Sequence, residues 1–122
     1  MYDHLGLHVK DLKASIRFYE AALGALGHVL CSQDATGAGL GPKGEPALWL
    51  YADGGTKKPG VHVGFRARNR AAVDQFHQAG IKAGGKDNGK PGLRAAYGPN
   101  YYAAFVVDPD GYRLEAWCGK KS

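Results

Sequence analysis

The sequence predicts an α+β fold: two βαβββ modules whose strands form a curved mixed sheet cupping a metal or ligand site. Three observations carry this reading. The chain repeats itself at an offset of 58 residues. Each copy opens with an alternating strand that runs into a helical pattern. Three shorter strand patterns then follow each helix, bounded by turn residues. At that offset, seven residues meet their own kind: His4 and His62, Gly6 and Gly64, Ala14 and Ala72, Phe18 and Phe76, Ala21 and Ala79, Ala25 and Ala83, Gly27 and Gly85.

The first strand is set by Leu5, Leu7 and Val9 alternating with His4, Gly6 and His8. Asp11 is placed to cap a helix whose apolar residues Leu12, Ile16, Tyr19, Leu23 and Leu26 recur at helical spacing. Strands are expected near 28–32, 38–41 and 47–51. In the second copy Val63, Phe65 and Ala67 alternate with His62, Gly64 and Arg66. Asn69 is the expected helix cap, Val73, Phe76 and Ala79 the apolar face, and Gly80 the expected C-cap. Strands are then expected near 95–97 (weakly), 101–107 and 112–117. The last two are joined by Asp108-Pro109-Asp110-Gly111, where proline presets φ and glycine accepts a positive value. The segment 84–100 is glycine- and proline-rich and reads as a long binding loop or lid. The expected organisation is one domain over 1–122, with modules 1–55 and 60–118.

With 44% hydrophobic residues in 122, the chain can bury a core without staples, which excludes a disordered tail. Its apolar runs are only a few residues long, so no membrane span is expected. The opening Met-Tyr-Asp-His carries no leader pattern, and Cys31 and Cys118 lack metal-ligand spacing. A cytoplasmic chain with reduced thiols is the expectation. The net charge of +5 is scattered rather than striped, which favours an anionic small molecule over nucleic acid as partner.

Strand parity assigns the residues that face away from the helices: His4, Gly6 and His8; His62, Gly64 and Arg66; Ala47, Trp49 and Tyr51; Arg113, Glu115 and Trp117. A lone strand histidine is ordinarily half-exposed or hydrogen-bonded. The pair His4 and His62 stands out because the repeat places both at equivalent positions. With Glu115 they make a two-histidine, one-carboxylate set, which suits Fe, Mn, Ni, Co or Zn and leaves coordination positions open. Trp49, Tyr51 and Trp117 are either packing residues or a ligand platform. Arg66 and Arg113 are either rim charges or an anion clamp. Among neighbouring side chains, His8 alone could act as a base.

The stretches Asp3 to Leu12 with Ser15, Phe18 and Tyr19, then Val61 to Phe65, then Ala104 to Glu115 resemble the vicinal oxygen chelate superfamily. That superfamily includes glyoxalase I, bleomycin-resistance proteins, fosfomycin-resistance enzymes and extradiol dioxygenases. The resemblance implies paired βαβββ modules and puts His4, His62 and Glu115 at the three metal-ligand positions. It also implies a homodimer with sites shared between chains. Glyoxalase I has a fourth ligand, a glutamate that also moves the proton. Trp49 stands at that position here, so the resemblance does not extend to a true glyoxalase reaction. Two functions follow as expectations. The first is a metal-dependent enzyme of lyase, transferase or dioxygenase type acting on a small oxygen-bearing substrate. The second is a metal-free binding protein of the bleomycin-resistance kind, using Trp49, Tyr51, Trp117 and the 97–102 tyrosine cluster.

Overall fold

In the computed structural model, which describes residues 1–122, the chain runs β1 (Leu5–Val9), α1 (Leu12–Gly24), β2 (Val29–Gln33), β3 (Gly37–Gly41), β4 (Leu48–Ala52), β5 (His62–Arg66), α2 (Arg70–Lys82), β6 (Lys86–Leu93), β7 (Tyr102–Val107) and β8 (Arg113–Cys118). Each half is a βαβββ unit with the same sheet order, β1-β4-β3-β2 and β5-β8-β7-β6. The first and last strands of each unit pair in parallel and the remaining pairs are antiparallel. Within one chain the curved sheet is therefore made in two four-stranded halves, and β1 and β5 are each left as an unpaired edge.

Both helices start as their sequences require. The Asp11 carboxylate accepts from Ala14 N at 3.1 Å, and the Asn69 side chain accepts from Ala72 N at 2.8 Å. The chain leaves α1 through Gly27, whose φ of +92° is cheap only for glycine. Gly80 is not a cap. It lies inside α2, buried where the two helices meet, with Phe18 and Ala22 of α1 in van der Waals reach of a Cβ added there. A missing side chain at a helix crossing and one at a helix end look alike in sequence.

The two modules share one core. Phe18, Tyr19 and Leu23 of α1 pack with Val73 and Phe76 of α2 and with Leu7, Leu40, Leu50, Val106 and Leu114 of the sheets. The Asp108–Gly111 turn does more than reverse the chain. The buried Asp108 carboxylate accepts from the Tyr19 hydroxyl and from the backbone N–H groups of Asp110 (2.9 Å) and Tyr112 (2.8 Å). Asp110 accepts from Lys10 N at 2.9 Å and from the Ser15 hydroxyl at 3.2 Å. The last turn of module 2 is thus pinned to the first helix of module 1.

The segment 84–100 is not one long loop. It holds β6, an edge strand of eight residues, while 95–97 forms a turn rather than the weak strand expected there. Sequence patterning hides β6 because its residues show no apolar alternation and include two glycines and Pro91, which an edge strand tolerates. The pairing with β7 is irregular around Gly89, whose φ is +153°.

Candidate functional site

The outward face of module 2 carries the densest group of chemistry-bearing side chains. β5 and β8 pair so that His62 lies beside Arg113, Gly64 beside Glu115 and Arg66 beside Trp117. Gly64 has no side chain, which leaves room over the strand, and a Cβ there would lie 4.0 Å from Glu115 Oε1. Across that space His62 Nε2 donates to Glu115 Oε1 at 2.9 Å. The second carboxylate oxygen, Oε2, accepts from the Tyr101 hydroxyl. Glu115 is only 6% exposed, and both its oxygens are satisfied.

Tyr101 is held from the other side. Its ring stacks on Trp117 at 5.1 Å and 8°, and meets Tyr97 edge-on at 5.3 Å. Burial, reinforced by the Glu115 carboxylate, pushes its hydroxyl up to about 12, so it remains a donor through the neutral range. The Arg66 guanidinium sits 5.5 Å from the centre of the Trp117 ring and pairs with no carboxylate. Arg113 donates to Gly60 O at 3.4 Å, which ties it to the linker at the rim.

Module 1 presents the counterpart face with different occupants. His4 is exposed, with Nδ1 2.7 Å from Asp3 Oδ1. His8 Nδ1 is hydrogen-bonded to the Asp53 carboxylate, and its ring lies 6.0 Å from that of Tyr51. Trp49 pairs with Gly39 across the sheet, and its ring fills the space a Cβ on Gly39 would need. Tyr51 covers Gly6 in the same way. Trp49 lies beside Gly6 just as Glu115 lies beside Gly64, so the tryptophan occupies the position symmetry-equivalent to the carboxylate.

Of the expected ligands, then, the chain brings His62 and Glu115 together and keeps His4 apart. No group of three or more His, Cys, Asp or Glu side chains suited to a metal forms within one chain. The expected platform is likewise divided. Trp117 stands with Arg66 on module 2, and Trp49 and Tyr51 stand on module 1. Between the modules lies a cavity of about 200 Å³, lined among others by His4, Leu23, His28, Gly64 and Phe65. His28 Nδ1 is buried without a partner, and burial lowers the affinity of that imidazole for a proton.

Two residues matter more than the sequence reading allowed. Tyr101 precedes β7 by one residue, and it shares parity with Ala103 and Phe105, the partners of Trp117 and Glu115. That parity would have found it once the β7–β8 register was known. Asp53 lies just beyond β4, and no periodic signal reaches it.

The sequence matches the Glyoxalase/Bleomycin resistance protein/Dioxygenase superfamily over residues 2–116. The chain belongs to that superfamily. Solved structures agree with the assignment. A glyoxalase/bleomycin resistance protein from Albidiferax ferrireducens T118 is 29% identical, with a TM-score of 0.82 over 97% of this chain and 98% of that one. A glyoxalase I variant from Zea mays, E144Q, is 25% identical, with a TM-score of 0.72 over 95% of this chain and 46% of the other. A glyoxalase-related enzyme from Fulvimarina pelagi, 20% identical with a TM-score of 0.74 over 93% of this chain and 84% of that one, shares the fold. No curated protein matches the sequence. No helix is long and apolar enough to cross a membrane.

Proposed function

We propose that this superfamily member is a metal-dependent enzyme that acts, as a symmetric dimer, on a small oxygen-bearing substrate. His62 and Glu115 of one copy and His4 of a second copy would hold the ion. The observation that carries the reading is the 2.9 Å separation of His62 Nε2 and Glu115 Oε1. An ion between them would take the place of the proton they now share: tetrahedral ligands with bonds of about 2.1 Å lie about 3.4 Å apart, so the pair would need to open by only about 0.5 Å. The donor set fits: one imidazole and one carboxylate are in place, and a second imidazole at the equivalent position of module 1 is exposed. Helix packing and the Asp108–Gly111 tie hold the modules of one chain in their present relation. The third donor is therefore assigned to a second copy, meeting along the unpaired β1 and β5 edges, where Leu5 and Val61 are exposed.

When bound, the ion would polarise substrate oxygens and stabilise charge developing on them. The chain's own side chains supply the rest. Trp49 cannot carry a proton, so the position symmetry-equivalent to Glu115 offers no base. His8 can: Asp53 engages Nδ1 and fixes the tautomer, which leaves Nε2 free to accept a proton, and strand parity assigns His8 to the face of His4. Arg66, stacked and unpaired, can hold an anionic group of the substrate.

The test is elemental analysis of untagged protein, with thermal shift in Mn, Fe(II), Co, Ni and Zn and light scattering for assembly state. A dimer with near-stoichiometric metal, or a shift of several degrees lost in His62→Ala, supports the proposal by mass action. A metal-free protein that no ion stabilises overturns it. A second reading, retention of a planar organic anion without metal, is favoured by the Tyr101–Trp117 stack beside Arg66. In that case Trp117→Ala abolishes ligand binding and His62→Ala does not.

A further inference from the structure

Glu115 is a ligand candidate with two chemically equal oxygens, and the structure makes them unequal. Oε1 faces His62 Nε2, and Oε2 is taken by the Tyr101 hydroxyl. The carboxylate torsion of a glutamate is soft, so an otherwise free side chain would sample several orientations and could ligate through either oxygen or both. Tyr101 itself is not free to follow. Its ring is clamped between Trp117 and Tyr97, and its backbone carbonyl accepts from Arg94 N at 2.8 Å. Trp117 lies two residues along the strand from Glu115, so a single strand supports both the carboxylate and the residue that grips it.

We propose that Tyr101 is a positioning residue for Glu115: by occupying Oε2 it presents Oε1, beside His62 Nε2, as the single ligating oxygen. The inference rests on the metal-dependent reading above and adds to it the residue that sets the ligand's geometry. Hydrogen-bond partners of this kind orient metal ligands, and their loss typically costs 10- to 100-fold in metal affinity.

The experiment titrates Co(II) into chelator-treated full-length protein and follows its visible absorption, in the wild type, Tyr101→Phe and Tyr101→Leu. Tyr101→Phe keeps the stacked ring and removes only the hydroxyl. The expected result is saturable Co(II) binding by the wild type, with affinity about 10- to 100-fold weaker in Tyr101→Phe. The absorption band of the saturated variant should also be altered, a readout of ligand geometry that does not depend on fold stability. Wild-type affinity and an unchanged band in Tyr101→Phe overturn the inference and leave the metal-dependent reading standing. So does a defect confined to Tyr101→Leu, which assigns the effect to packing. A wild type that binds no Co(II) overturns both.

Discussion

Replacing Tyr19 with phenylalanine removes one hydroxyl from the contact that pins the two modules together. Tyr19 is fully buried and donates to Asp108, whose carboxylate is also buried. Hydrogen bonds to charged acceptors contribute about 1.5–3 kcal/mol. Asp108 keeps its two backbone donors, Asp110 N and Tyr112 N, so the loss should fall in the lower half of that range, about 1.5–2 kcal/mol. An unfolding entropy of roughly 2.1 cal/mol/K per residue converts this to a drop in Tm of about 6–8 °C for a chain of this length. The pH dependence gives a second check. Burial holds the Asp108 carboxyl above its usual range, and the Tyr19 hydrogen bond opposes that shift. Removing the hydroxyl raises the carboxyl further. A folded-state value above the unfolded one means that the native state gains stability as pH falls through it. The Tyr19→Phe defect should therefore be largest near neutral pH and shrink in acid. Urea melts at pH 7 and pH 4.5 measure it. A defect below about 0.5 kcal/mol at pH 7, or one that grows in acid, refutes the account of the turn as a charged tie between modules.

Two glycine substitutions should have opposite signs. Gly85→Ala drives a Cβ to 2.6 Å from Phe18 and 2.7 Å from Val106, and should cost about 1–3 kcal/mol in a urea melt, whereas Gly24→Ala meets nothing within 4 Å at the end of α1 and should gain about 0.5–1 kcal/mol. At the sheet edge, the His77 imidazole, then the Gly89 N–H, hold Asp87 below its ordinary 3.8. Its contribution to stability should be complete above that value and lost as pH falls through the folded one. Carbon-detected NMR of the carboxyl should show its titration moving back toward 3.8 in His77→Phe, and an unmoved titration would contradict the assignment.

Much of this architecture is legible in the sequence, because the features that specify it are local or repeated. The 58-residue offset carries the pairing of modules, Asp11 and Asn69 carry the helix starts, and alternation in β1, β5 and β8 carries the facing of His62, Arg66, Glu115 and Trp117. What escapes the sequence depends on contacts between distant elements. Strand β6 has no apolar alternation because it is an edge strand, and only its ladder with β7 defines it. Gly80 reads as a helix end until Phe18 is known to sit against it. Asp108 reads as a turn residue until Tyr19, 89 positions earlier, arrives at its carboxylate. Tyr101 acquires a role only through the register that sets it against Trp117 and Glu115.

The departures from internal symmetry bear most directly on function. If both modules were alike, each outward face would carry a histidine and a carboxylate. Instead the position beside the strand glycine is filled by Trp49 next to Gly6 in module 1 and by Glu115 next to Gly64 in module 2, and only Glu115 has a histidine, His62, hydrogen-bonded to it. Joining two copies of module 1 would bring together two imidazoles and two indoles with no anionic ligand. Joining two copies of module 2 would crowd two carboxylates around one ion and leave His4 unused. On the proposed reading, only module 1 against module 2 would supply two imidazoles, His4 and His62, and one carboxylate, Glu115, to hold an ion, and Trp49 would add no ligand. In each chain β1 and β5 are edge strands of their sheets, so in the proposed dimer a single two-fold operation would complete two such sites at once. The proposed dimer interface and the proposed three-ligand site are therefore one prediction: a chain that stays monomeric with the metal present refutes both.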